Sequence, residues 1–90
     1  MKFYMTVGVQ YAREPHPQGL HPDGWVEVEA HDWMAARAIV IAAFGQVWSF
    51  LYEERDFTDR DTWHKRGRQA TLDASGLTYD DEYRARWEVI

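Results

Sequence analysis

The chain contains no cysteine. Disulfides and thiolate-bound zinc are thereby excluded, and a reducing, intracellular setting is the natural expectation. Serine is almost as scarce: Ser49 and Ser75 are the only two, and neither stands in the sharp strand-to-helix context that activates a serine nucleophile. The glycines at 19, 24, 45, 67 and 76 are isolated, so no phosphate-cradling loop is formed. Lys and Arg are outnumbered, 10 against 15 acidic residues, giving a net charge of −5. That balance argues against a general phosphate-backbone binder, whose affinity comes from clustered cations that release counterions. The first residues carry no basic, apolar leader, and a cytoplasmic protein is expected.

A membrane span is tested and rejected. Between Asp32 and Glu53 the only charge is Arg37, and a helix of that length would just cross about 30 Å of hydrocarbon. Arg37, the Gly45-Gln46 pair and Ser49 would all be costly in lipid, and the Gly-Gln break coincides with a change of hydrophobic period.

What the chain does have is aromatic mass. Five Trp, five Tyr and four Phe make up 16% of ninety residues. A single domain this short buries only about 60 to 65% of its unfolded surface, so large rings are needed for a dense core. The most informative stretch runs from Gly24 to Glu54, where the hydrophobic period switches twice. Residues 25–30 alternate with period two, Trp33 to Phe44 is apolar at helical spacing, and Val47 to Tyr52 returns to strand-forming residues.

An earlier strand is expected over residues 2–11, with Phe3, Met5, Val7, Val9 and Tyr11 facing the core. Pro15, Pro17 and Pro22 then hold a loop extended, and His21-Pro22-Asp23-Gly24 has turn chemistry. In the second strand Val26, Val28 and Ala30 point inward, and Trp25 lies on the outer side. Asp32 caps the helix and Gly45 is placed to end it with a positive φ. The third strand puts Trp48, Phe50 and Tyr52 on one face and Val47, Ser49 and Leu51 on the other, a pattern typical of a central position. One face fits under the helix, and the C-terminal third, through Trp63, Leu72, Tyr79, Tyr83 and Trp87, or another chain, is expected to cover the second.

Arg68 to Asp73 reads as a fourth strand before an Ala74-Ser75-Gly76 turn. From Thr78 the tail fits a helix, with Thr78 and Asp81 resembling a capping box, and it also fits a strand. The fold class expected is α+β: a small, mostly antiparallel sheet of three to four strands, with one central helix packed on one face in a β-β-α-β core and a C-terminal segment that is helix or strand.

Residues 4–52 resemble a group of short uncharacterised proteins encoded by bacteriophages of actinobacteria. The likeness is carried by His16-Pro17, by the run from His21 to Ala30, by Ala36-Arg37, by Phe44-Gly45 and by Trp48 to Tyr52. It implies a small phage accessory protein made in the host cytoplasm and transfers no activity.

Candidate chemistry is thin. His16, His21 and Asp23 are the nearest approach to a metal site, but a spacing of five in a Pro-containing loop does not aim both rings at one point, and only His31 or His64 folding back would help. The carboxylates from Glu53 to Asp61 read as a solvated run. No catalytic residue, cofactor or metal is expected. A binding role is expected, toward a host or phage protein or a second copy of the chain as a homodimer. Its candidate residues are Tyr4, Trp25 and Trp63, as aromatics on the uncovered sheet face or loop edge, and Arg37 on the helix, because Arg, Trp and Tyr dominate binding hot spots. Arg37 otherwise covers apolar surface with its stem while its guanidinium reaches water or an acid such as Glu29. Two alternatives come from other classes: an acidic nucleic-acid mimic using Glu53 to Asp61 and Asp80 to Glu82, and a nucleic-acid binder using Lys65, Arg66 and Arg68 beside Trp63 and Tyr79.

Overall fold

Alternation of apolar and polar residues in the first strand sends Phe3 and Met5 to one side and Tyr4 and Thr6 to the other, and all four are buried. This is strand β1, Lys2–Thr6. The computed structural model describes residues 1–7, 20, 24–46, 48–58 and 67–80. Within them β1 is followed by β2 (Gly24–Glu29), helix α1 (Trp33–Phe44), β3 (Phe50–Glu53), a 3-10 turn (Glu54–Asp56), β4 (Gly67–Asp73) and β5 (Gly76–Tyr79). The protein is a small α+β fold.

The five strands form one mixed sheet in the order β3-β1-β2-β4-β5. β1 runs antiparallel to β2 and β3, β4 runs antiparallel to β5, and β2 and β4 are parallel. The register stacks apolar rows across the sheet: Phe3 lies opposite Val28, Met5 opposite both Val26 and Leu51, and Leu72 opposite both Val28 and Leu77. α1 lays Ala36, Val40 and Phe44, one residue per turn, on that row, and with Val7, Leu20 and Ala70 they complete the core. Each fully buried Phe, Met or Val side chain contributes about 1.5 to 3 kcal/mol, so this layer is the main source of stability.

Both ends of α1 follow from local chemistry. The Asp32 Oδ1 accepts from the Ala35 amide at 2.8 Å, satisfying one first-turn donor. Gly45 closes the helix at φ 62, a backbone conformation that costs an L side chain, and its N–H donates to Ile41 O at 2.8 Å. The Trp48 indole then donates to the Gly45 carbonyl at 2.9 Å. Ser49 donates its amide to Thr6 O at 2.8 Å and its hydroxyl to Val7 O at 3.0 Å, which is a structural role in tying the chain to β1. At the other side of the sheet the register between β2 and β4 slips after Trp25, making Gln69 the extra residue of a bulge. Gln69 is buried, and its side-chain amide fills the space where a Cβ on Gly24 would stand.

Three expectations are corrected and one left open is decided. The sheet has five strands where three to four were expected; it is mostly antiparallel, as expected, with β2 and β4 as its one parallel pair. β3 starts at Phe50, so Trp48 packs against the core on the helix side instead of sharing a face with Phe50 and Tyr52. β3 also lies at the edge, not the centre, because apolar residues on both faces record cover above and below a strand and carry no information about lateral neighbours. Thr78 and Tyr79 belong to β5, opposite Thr71 and Ala70, which settles the choice between helix and strand at these two residues for strand. Val9, Tyr11, Val47 and the tail from Asp81 onward lie outside the described residues.

Candidate functional site

The reverse of the sheet, away from α1, carries Tyr4 and Tyr52 side by side across β1 and β3. Phe57, just beyond the 3-10 turn, folds back over them. Its ring stacks on Tyr52 at 4.9 Å and on Tyr4 at 5.3 Å, and meets the edge of Trp25 at 5.7 Å. Phe57 and Tyr4 are buried, Trp25 and Tyr52 are half-buried, and burial pushes the Tyr52 phenol above its ordinary pKa. Phe50, stacked beside Tyr52 at 5.7 Å, remains exposed at the sheet edge. Tyr4, expected as an anchor, is therefore covered by the chain itself and unavailable to a partner, while Trp25 keeps part of its surface. Trp63 lies outside the described residues. Leu72 and Tyr79, expected to cover this face, pack on the core at the helix side instead. Phe57 is not among the expected residues, although it carries a sequence signal: it is the single aromatic in the acidic run from Glu53 to Asp61.

Away from the rings, the same face becomes ionic. Glu27 sits between Lys2 at 3.9 Å and Arg68 at 3.4 Å, and Arg68 Nε donates to Asp80 at 3.0 Å. The Asp80 hydrogen bond is the main reason the Arg68 guanidinium holds its proton more firmly than usual. Arg68 is thus matched by two carboxylates and separated from Tyr79 by the sheet. Of the acids expected to imitate a phosphate backbone, Glu53 and Asp56 flank Arg55 at 2.9 and 4.0 Å. Lys65, Arg66, Asp59, Asp61, Asp81 and Glu82 lie outside the described residues, as do His16, His21, Asp23 and His64. Among the described residues no group of three His, Cys, Asp or Glu is placed to hold a metal. No helix among them is long and apolar enough to cross a membrane.

The outward face of α1 is different in kind. Ala36, Val40 and Phe44 fill the inner stripe, yet the opposite side is also apolar: Met34 is 66% exposed, Ile41 39% and Trp33 37%. Ala38 and Ala42 are exposed between them, and Arg37 is the only charged residue of the helix. Arg37 pairs with no acid among the described residues. Glu29, the acid expected to meet it, has its carboxylate 2.9 Å from the Met1 amino group. Beside this face, Ile39, Ala42, Ala43 and Leu72 floor a groove of about 210 Å³ whose rim is the turn from Asp73 to Gly76. The Asp73 carboxylate at the rim accepts from the Ser75 hydroxyl and amide, which together hold it below the usual carboxylate range. Met34, Arg37 and Ile41 thus stand in one row with an apolar trough at its side.

No family model, curated protein sequence or solved structure matches the chain.

Proposed function

We propose that this chain is a non-catalytic protein-binding module that presents the outer face of α1 to another protein. The observation that carries the reading is that α1 is apolar around its circumference while the sheet covers one side only. A helix apolar on all sides is ordinarily buried on all sides. Three large apolar side chains in water on twelve residues of helix are unfavourable in an isolated protein, and a partner removes that cost. Arg37 and Trp33 add the side-chain types that most often dominate interface energy.

The resemblance of residues 4–52 to actinobacterial phage proteins makes a host or phage protein, met in the host cytoplasm, the partner class. Phe57 covers Tyr4 and so removes it as an anchor; of the residues expected to bind, Arg37 is retained, and Trp33, Met34 and Ile41 join it. The engagement of Arg68 with Glu27 and Asp80 weakens the nucleic-acid-binding alternative, because a cation matched by two carboxylates has little left for phosphate.

The test is affinity capture from an actinobacterial lysate with the wild-type chain and Ile41→Glu side by side. The expected result is a protein retained by the wild type and lost with Ile41→Glu, with unchanged circular dichroism. An identical retained set for both, or none for either, goes against the proposal.

A further inference from the structure

We infer that the surface docking on α1 is itself a helix, apolar along one side and carrying a carboxylate at the centre of that side, seated so that the carboxylate meets Arg37. This rests on the binding role of α1 proposed above. Met34, Arg37 and Ile41 span two turns, about 10 Å of helix. Ala38 and Ala42, exposed between the larger residues, leave room for a second helix at the usual axial separation of about 8 to 10 Å. A ridge of large side chains with small ones between, flanked by the trough floored by Ala42, Ala43 and Leu72, accepts side chains repeating at i, i+3 or i+4, and i+7.

Arg37 decides the partner's charge. Any partner that covers Met34 and Ile41 must also desolvate the guanidinium between them, and a buried cation without a counter-charge is strongly unfavourable. Among the described residues no acid is left over to supply one: from Trp33 to Tyr52 the chain has none, the Asp32 carboxylate caps the Ala35 amide, and the Glu29 carboxylate lies against the Met1 amino group. The partner must bring the carboxylate, which the planar guanidinium binds through two parallel hydrogen bonds. The same argument disfavours a second copy. An antiparallel self-contact that sets Met34 against Ile41 brings both Arg37 side chains beside the two-fold axis, and a parallel one sets them face to face. Either way two cations are buried with no acid, between molecules that each carry −5. The Asp73 carboxylate at the trough rim is already engaged by Ser75, so the trough calls for an aliphatic side chain and adds no charge demand.

The experiment selects binders from a displayed library of helical peptides against the full chain. It then measures each enriched peptide against wild type, Arg37→Glu and Ile41→Glu, with circular dichroism as the check on folding. Enriched peptides are expected to carry Asp or Glu flanked by aliphatic residues three or four positions away. Affinity should fall at least tenfold with Arg37→Glu, recover when the peptide's acid is exchanged for Lys, and vanish with Ile41→Glu. Peptides lost with Ile41→Glu but indifferent to Arg37→Glu overturn the acidic-helix inference and leave the binding role of α1 standing. Peptides indifferent to both, or a library that yields none, overturn both. A dimer in sedimentation that Ile41→Glu disperses puts a second copy on the face and overturns the inference as well.

Discussion

Replacing Phe57 with Ala tests how the reverse of the sheet is closed. The ring is 5% exposed and touches three others, stacked on Tyr52 and Tyr4 and edge-on to Trp25. Buried Phe→Ala changes cost about 3 to 5 kcal/mol. Phe57 follows a single 3-10 turn at the periphery, where the chain can settle inward, so the lower end applies and we expect about 3 kcal/mol. Against a total of about 5 to 13 kcal/mol for a chain of this size, that is a quarter to a half or more of the stability, and it lowers the melting midpoint by about 12 to 24 °C. The assay is urea unfolding followed by circular dichroism, with the slope checked for constancy so that the shift in midpoint reads as stability. Phe57→Leu keeps most of the apolar area and loses the ring stacking, and should cost about 1 kcal/mol. A loss under about 1 kcal/mol for Phe57→Ala, or equal losses for Ala and Leu, refutes the view that this ring seals the face by stacking.

Three further outcomes follow from the same geometry. Gly24→Ala should destabilise by about 1 to 3 kcal/mol in thermal melts, because the new Cβ would stand 2.2 Å from Gln69 Nε2 and 2.7 Å from the Gly67 carbonyl, and backbone cannot yield as a flexible side chain does. Asp32→Ala removes the acceptor of the Ala35 amide and should cost about 1 kcal/mol by urea unfolding, while Asp32→Ser, which keeps a capping oxygen, stays near wild type. Burial raises the Tyr52 phenol above 10.0, so its contribution to stability is fully present below that pH and is lost as pH rises through the higher folded value. Unfolding at pH 8 and pH 11 should therefore show wild type losing more stability than Tyr52→Phe, and equal losses would refute the assignment.

What could be read from the sequence was what is decided within a few residues. Asp32 and Gly45 mark the ends of α1 by hydrogen bonds that reach three or four positions, and alternation set Phe3, Met5, Val26 and Val28 on the core face. The parallel pairing of β2 with β4 joins residues more than forty positions apart and leaves no local mark, so the sheet appeared smaller and simpler than it is. β5 is obscured in the sequence because Thr78 with Asp81 has the pattern of a capping box, whereas the pairing of Thr78 with Thr71 and Tyr79 with Ala70 places both in a strand. Alternation correctly sent Tyr4 and Trp25 away from the helix, but it does not say whether a later residue returns to cover them. Phe57 does so from inside an acidic run, where the flanking Glu, Asp and Arg drew attention to charge. Arg37 stands out in the sequence because its neighbours are apolar, and that contrast persists in three dimensions, where its side chain is exposed beside exposed Met34 and Ile41.

The two faces that the core leaves outside are therefore closed by different means, and substitutions should separate them. Phe57 belongs to the chain and packs over Tyr4, Tyr52 and Trp25, so its loss acts on folding. Ile41 touches water, and a Glu there has at least as good a helix propensity, so Ile41→Glu should change unfolding free energy by no more than about 0.5 kcal/mol. If α1 is a binding surface, Ile41→Glu removes partner capture at full stability, whereas Phe57→Leu, about 1 kcal/mol less stable, still captures at temperatures where it is folded. A destabilisation of more than about 1 kcal/mol by Ile41→Glu would mean that the outer side of the helix is part of the packed interior, and the reason for assigning it to a partner would disappear.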